Sequence, residues 1–400
     1  MIFSILVFFI PVMIGYALEI RMYSWGCLIS FLCGIYAYRY YKNIKEKEQN
    51  KKIKNLVLFS VTSICSCYIH YYGILTAGLI NLILLIYLIK NRKEVKKDLI
   101  QFLVVALVQV LLYVPWLLYL AMQIQHVHGG YWITLDPIKT PIDILSFHFR
   151  AFELDNSIYT ILGVIIASLL YIYLGIRTYK YKKANEDIKP MKLGFGIYFG
   201  VILIAVLVTI VIWRPILTSR YLLIMTGMYI FGLAYMLGKE KNKILLSVVL
   251  ISIVMLGTFT SVRYINENYD ETNLSAYNYI KENIRDDDIF IYTYFGNCGV
   301  MSVKFPENTH ILICSNGWQR EEKAYSAYAP AMKMKFKDEN DNFDWNFLKD
   351  FKGRIWLVGD TDSWIIDEFP KEKTRVLKDT KKIETKYHNY VYQIKLIEKF

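Results

Sequence analysis

Leu56–Ile89, LVLFSVTSICSCYIHYYGILTAGLINLILLIYLI, runs for 34 residues without a Lys, Arg, Asp or Glu. A helix crossing a bilayer uses about 20 apolar residues, because in hydrocarbon the backbone must satisfy its own hydrogen bonds. The stretch is therefore too long for one ordinary crossing. Its middle, His70-Tyr71-Tyr72-Gly73, interrupts the aliphatic run, and we read two crossings, 55–70 and 73–89, joined by a tight turn at Gly73.

Seven further stretches cross or nearly cross: 1–17, 22–38, 99–121, 157–176, 194–213, 220–237 and 244–262, giving about nine transmembrane helices. The loops test this division, since Lys and Arg concentrate on the cytoplasmic side. Loop 39–54 carries seven of them (Arg39, Lys42, Lys45, Lys47, Lys51, Lys52 and Lys54), loop 90–97 five, loop 177–192 six and loop 239–243 three. The alternate loops are poor in positive charge. They hold Arg21 near the first turn, none at 70–73, Lys139 and Arg150 in the long loop 122–156, and Arg214 with Arg220 in the next turn. Were 56–89 a single helix, the basic loops on either side of it would lie on opposite faces; as a hairpin, all the basic loops share one. With a cytoplasmic start and an odd number of crossings, the chain after Val262 is expected to be extracytoplasmic.

Composition agrees with a multi-pass protein of the cell membrane. Of 400 residues, 55% are hydrophobic and only 20% charged, too apolar for an ordinary soluble domain. The net charge of +12 sits in short loops between apolar stretches, where it orients the chain, so no nucleic-acid partner is expected. No CxxC or Cys/His cluster of metal-binding spacing occurs. Cys298 and Cys314 fall in the polar part, as two buried thiols in preference to a disulfide.

After Val262 the composition turns mixed and polar, which marks a second domain, 263–400, following the membrane domain 1–262. Thr272–Ile284 has helical spacing, Asp288–Tyr294, His310–Cys314 and Arg354–Val358 read as strands, and Tyr387–Ile397 alternates like a terminal strand. An extracytoplasmic α/β domain follows, with no GxGxxG or Walker pattern for a nucleotide.

The ionisable residues bound the function. Glu19, Arg21, His70, Arg214 and Arg220 all lie at the outward ends of crossings, whereas ion-coupled transporters keep charges near the midplane. A site at the outer surface is what this placement suits, with Arg and His on a lipid phosphate whose tail stays in the bilayer. Three groups carry it: Glu19-Ile20-Arg21-Met22-Tyr23, Tyr68-Ile69-His70-Tyr71-Tyr72, and Ser219-Arg220-Tyr221. A capping ion pair and an interfacial aromatic belt are the plain alternatives, although a belt has no need of histidine. Loop 122–156 also holds His126, His128, Asp136, Asp143, His148, Arg150, Glu153 and Asp155, and His126 and His128 with the nearby carboxylates leave a divalent metal open. A substrate-covering loop with Tyr131-Trp132 on the membrane is the preferred reading, and no cofactor is otherwise expected.

The ordered set of Pro11, Glu19-Ile20-Arg21-Met22-Tyr23, Tyr68 to Tyr72, a long outer loop with Tyr-Trp, and Ser219-Arg220-Tyr221-Leu222-Leu223 resembles the bacterial relatives of the dolichyl-phosphate-mannose protein mannosyltransferases, the family 39 type of GT-C glycosyltransferase. Arg354-Ile355-Trp356-Leu357-Val358 is similar to the tails of such proteins. The resemblance implies a GT-C-like polytopic α-helical fold and a polyprenyl-phosphate-linked sugar donor. It also implies inverting transfer, at the outer membrane face, to a glycan, lipid or protein acceptor. Substrate contacts would come from Glu19, Arg21, Tyr23, His70, Tyr71, Arg220 and Tyr221. Ala17-Leu18 stands where family members carry Ser-Gln. The family's catalytic Asp lies in a first outer loop well before the Pro motif, and only ten residues precede Pro11 here. The expectation is an N-terminally incomplete chain, with that Asp upstream of Met1 and no transferase activity alone. A transporter or flippase of a lipid-linked saccharide, or a non-catalytic assembly protein, are the other readings.

Overall fold

The computed structural model describes residues 1–17, 21–127, 136–150, 158–183, 188–212, 215–268, 275–315, 332–340, 342–359, 369–370, 373–379 and 393–400. The chain divides into two compact units, 1–264 and 265–400.

The first unit is helical. In chain order it contains α1 (Ile2–Phe9), α2 (Pro11–Ala17), α3 (Tyr23–Lys45), α4 (Gln49–Ile69), α5 (Tyr71–Lys90), α6 (Lys96–Val127), α7 (Lys139–Ser146), α8 (Ile158–Lys183), α9 (Lys189–Ile212), α10 (Leu223–Gly238) and α11 (Lys243–Asn268). Among the described residues, seven helices are long and apolar enough to span a membrane, within α4, α5, α6, α8, α9, the stretch Ser219–Gly238, and α11. This is a polytopic membrane protein. Two of the nine expected crossings differ. Residues 1–17 break into two short helices because Ile10 is extended (φ −66°, ψ 121°) just before Pro11, whose ring cannot continue the turn. Residues 23–38 do lie within a 23-residue helix, α3, but Tyr36, Tyr38, Tyr40, Tyr41 and Arg39 keep its mean hydropathy below that of a plain span.

The hairpin is present, with its turn three residues earlier than expected. His70, extended at φ −160° and ψ 150°, separates α4 from α5 and caps α5 by accepting from the Tyr72 amide at 3.1 Å. Gly73 serves packing instead of turning: a Cβ there would stand 1.9 Å from the Ser66 carbonyl oxygen. Only a glycine lets the two helices close so tightly, and Ser66 Oγ donates to the Gly73 carbonyl at 3.3 Å across the contact.

The basic loops are mostly helix ends. Lys42 and Lys45 lie on the last turn of α3, where long aliphatic stems cover apolar surface and the charge complements the helix C-terminus. At this end Lys52 of α4 and Asp98 of α6 form a buried pair at 2.5 Å. Arg177 of α8 bonds Glu240 at 2.8 Å, and Tyr173 donates to the same carboxylate. α10 is the most enclosed span, and α6 is almost wholly unburied within the unit, so α10 forms the bundle interior and α6 its edge.

The second unit contains α12 (Ser275–Asn283), β1 (Ile289–Tyr292), α13 (Phe295–Lys304), β2 (Thr309–Cys314), β3 (Met332–Phe336), β4 (Gly353–Gly359), β5 (Thr374–Asp379) and β6 (Gln393–Lys399). They form a six-stranded sheet in the order β3-β2-β1-β4-β6-β5. β3, β2, β1 and β4 are parallel, and β6 and β5 complete the sheet antiparallel. One face packs Phe290, Tyr292, Leu312 and Trp356 against α12 and α13; the other packs Ile289, Ile291, Ile355 and Leu357 against residues 343–351. Beneath the sheet, the buried Asp288 carboxylate accepts from Arg354 (2.9 Å), Trp356 Nε1 (2.7 Å) and the Arg285 amide (3.0 Å). The cysteines are free: Cys298 is buried and Cys314 half-buried. Of the terminal strand expected over 387–397, residues 387–392 lie outside the described residues.

Candidate functional site

His70 is held by its own role as a helix cap. Because Nδ1 accepts from the Tyr72 amide, the neutral ring carries its proton on Nε2. No hydrogen bond to that proton is found among the described residues, so a donor is available at this end of the bundle. Burial lowers the imidazolium pKa to about 4, which leaves His70 uncharged at neutral pH.

Around the ring stand tyrosines from three separate elements. Tyr221 lies edge-on at 4.7 Å between centroids, Tyr23 at 5.8 Å, Tyr72 at 6.0 Å and Tyr71 at 6.4 Å. Tyr221 belongs to the 3-10 turn Ser219–Leu222 that leads into α10, and Tyr23 opens α3. The buried Tyr72 donates to the Ile216 carbonyl at 2.9 Å, tying the hairpin to the 215–218 turn, and its ring meets Tyr221 at 5.3 Å. The structure thus brings together Tyr23, the His70-Tyr71 pair and Tyr221, three places far apart in sequence. Arg21, exposed, is two residues from Tyr23, and the half-buried Arg220 adjoins Tyr221. Glu19, Arg214 and the Tyr131-Trp132 pair lie outside the described residues, as do His128, Glu153, Asp155 and the side chain of His126.

Beside this cluster an aromatic shelf continues along α4 and α6. Tyr68 meets Tyr113 and Trp116 edge-on at 5.5 and 5.9 Å, and its hydroxyl donates to the Leu112 carbonyl at 2.6 Å. Tyr68 and Tyr71 are both exposed.

Of the expected covering loop, residues 136–150 are described, and the end of this piece packs into the bundle. Asp136 caps the entry to α7, accepting from the Ile138 and Lys139 amides at 2.8 and 2.7 Å, and these bonds lower its carboxyl pKa. Ser146 to Arg150 are all buried. His148 stacks on Tyr229 of α10 at 3.8 Å with the rings 6° from parallel, and its Nε2 is 3.3 Å from Thr226 Oγ1. Arg150 is paired with Asp143, and its Nε donates to Ser146 Oγ at 2.7 Å. Phe147 reaches Tyr16 at 6.2 Å and Tyr16 reaches Tyr23 at 5.6 Å, so this segment and the His70 cluster share a wall of rings. Its apolar content, Ile142, Ile144, Leu145, Phe147 and Phe149 around His148, is the signal that a search for ionisable residues passes over. Such a search also misses the Ser63–Gln109–Asn81 network inside the bundle: Ser63 Oγ donates to Gln109 at 2.9 Å, and Asn81 Nδ2 to Ser63 at 3.0 Å. Among the described residues no three His, Cys, Asp or Glu side chains converge to hold a metal.

Apolar spanning helices with a histidine, tyrosines and arginines gathered at one end define a multi-pass membrane protein with a polar site at the ends of its spans. Residues 26–129, about a quarter of the chain, match the family model described as dolichyl-phosphate-mannose-protein mannosyltransferase, a likeness that supports a membrane glycosyltransferase in general. The matched region runs from α3 to the end of α6 and includes His70 and Tyr71. No curated protein and no solved structure gave a match.

Proposed function

We propose that the His70 cluster holds the phosphate and sugar of a polyprenyl-phosphate-linked donor at the extracytoplasmic face, with the prenyl tail in the surrounding membrane lipid. The observation that carries this reading is the convergence on His70 of Tyr23, Tyr71 and Tyr221, from three elements, with Arg21 two residues before Tyr23 and Arg220 next to Tyr221. In this reading the arginines supply positive charge to the phosphate. Neutral His70 supplies a hydrogen bond through Nε2–H, and the tyrosines supply ring faces and hydroxyls to the sugar.

In the transfer expected of this family, the bond from the anomeric carbon to the phosphate oxygen breaks as the acceptor oxygen bonds to that carbon from the opposite side. The acceptor proton goes to a carboxylate, and charge on the departing phosphate is stabilised by cations. Among the described residues, the groups in ring or hydrogen-bond contact with His70 are tyrosines and a backbone amide, and none is a carboxylate. The donor half of the site is therefore assigned to these residues and the base to a residue other than those in contact with His70. The 265–400 unit is assigned to the same extracytoplasmic side.

The test is binding and turnover by the full chain in nanodiscs with a polyprenyl-phosphate hexose. Saturable donor binding that Arg220→Ala weakens supports the reading. Binding unaffected by Arg220→Ala, Arg21→Ala and His70→Asn alike overturns it. Movement of intact donor between leaflets, without sugar transfer, would favour the flippase reading.

A further inference from the structure

The two helices that start at the His70 cluster, α3 at Tyr23 and α10 just past Tyr221, border an open groove toward their other end. They run side by side in the same direction, with Gly26 packed against Ile224 and Gly34 against Met228. From Phe31, about 12 Å along α3 from Tyr23, the two helices and the start of α1 leave a groove of about 570 Å³. Phe3, Phe31, Ile35, Phe231, Tyr235 and Gly238 line it, and its lining side chains are apolar apart from the Tyr235 hydroxyl. One wall is a run of rings, with Phe3 stacked on Phe31 at 5.4 Å and Phe31 against Phe231 at 6.3 Å.

Two cations flank the groove at the basic-loop end. Arg39 follows Ile35 by four residues and Lys239 follows Tyr235 by four, so each stands one turn past a groove residue on the same side of its helix. The Lys239 ammonium lies 5.4 Å over the Tyr235 ring, and the guanidinium of the exposed Arg39 lies 5.8 Å from the Tyr36 ring. The carboxylates nearest in sequence are engaged elsewhere: Glu240 by Arg177 and Tyr173, Glu46 by Lys42. Lys241 and Lys243 follow in the same loop.

An apolar groove along membrane helices that ends between two cations matches a phospholipid in both its parts. The rings take a hydrocarbon chain, and Arg39 with Lys239 takes an anionic head; basic pockets between spans at such a face hold anionic headgroups. Polar ligands would find a single hydroxyl among the lining side chains. We propose that the groove holds one acyl chain of an anionic glycerophospholipid, with its phosphate between Arg39 and Lys239. This lipid site goes beyond the donor site and lies toward the opposite end of the same two helices.

The experiment follows lipid binding by native mass spectrometry, and thermal unfolding in parallel, for the full chain in detergent titrated with phosphatidylglycerol and separately with phosphatidylcholine of the same chains. Phosphatidylglycerol is expected to bind saturably and to raise the unfolding temperature, at about tenfold lower concentration than phosphatidylcholine. Replacing both cations, Arg39→Gln with Lys239→Gln, should remove that preference. Gly238→Leu and Ala234→Phe should each weaken binding tenfold or more by filling the groove; a Cβ at Gly238 meets nothing within 4 Å, so this variant keeps the lipid-free unfolding temperature. His70→Asn should leave phosphatidylglycerol binding unchanged, which separates this site from the donor site. Equal affinity for the two lipids, a preference that survives loss of both cations, or binding that survives both groove-filling variants overturns the proposal. So does displacement of phosphatidylglycerol by a polyprenyl-phosphate hexose, which would give the groove to the donor, or a dimer broken by Gly238→Leu in place of bound lipid, which would give it to a second copy.

Discussion

His70 has two separable duties, and one substitution divides them. As the cap of α5 it accepts from the Tyr72 amide; as a donor it offers Nε2–H to the ligand. Asparagine is among the best helix caps, so His70→Asn should keep the first duty and lose the second, whereas His70→Ala loses both. A lost cap costs about 1 kcal/mol of stability. A hydrogen bond to a charged group contributes about 1.5–3 kcal/mol. At about 1.4 kcal/mol per tenfold, that is roughly 10- to 100-fold in the dissociation constant. The assay is equilibrium binding of a polyprenyl-phosphate hexose to the full chain in nanodiscs, with thermal unfolding followed in parallel. His70→Asn should unfold close to wild type and bind at least tenfold more weakly; His70→Ala should bind as weakly and unfold earlier. Wild-type affinity in His70→Asn would refute the donor role.

Three further outcomes follow from the same geometry. Because the folded pKa of His70, about 4, lies below the unfolded value of about 6.5, the unfolded chain takes up the proton first as the pH falls. The His70 contribution to stability is therefore complete above about pH 6.5, declines toward pH 4 and levels off below it. It amounts to roughly 3 kcal/mol, measured as the difference between wild-type and His70→Asn unfolding across that window. Gly73→Ala would set a methyl group against the Ser66 carbonyl and should destabilise the hairpin by about 1–3 kcal/mol, seen as a lower unfolding temperature. Asp288→Ala would leave Arg354 and Trp356 without their shared acceptor and should cost about 3–5 kcal/mol, read as early loss of protease resistance in the 265–400 unit.

The hairpin was legible in the sequence because chain length, absence of charge and loop basicity agree on it. The turn position was not, because a histidine side chain capping α5 does the work that a glycine was expected to do, and Gly73 answers to the close approach of Ser66. α3 shows the limit of hydropathy: its tyrosines lower the apolar signal, yet Tyr40 is fully buried among neighbouring helices. The strands at 289–292, 309–314 and 353–359 were readable from apolar runs, but the winding change at β1 depends on which face each connection takes, and no local pattern encodes that. At the site, His70, Tyr71 and Tyr221 were legible as polar and aromatic residues at helix ends. Their convergence, and the burial of His148 against Tyr229, are products of tertiary packing.

The central claim is that the His70 end of the membrane unit holds a lipid-linked sugar through its phosphate. The most direct test titrates a labelled polyprenyl-phosphate hexose onto the wild-type chain in nanodiscs, in competition with sugar-free polyprenyl phosphate and with a sugar nucleotide. The account predicts saturable binding that polyprenyl phosphate displaces and the sugar nucleotide does not. No saturable binding, or displacement by the sugar nucleotide as effective as by the lipid phosphate, would contradict it.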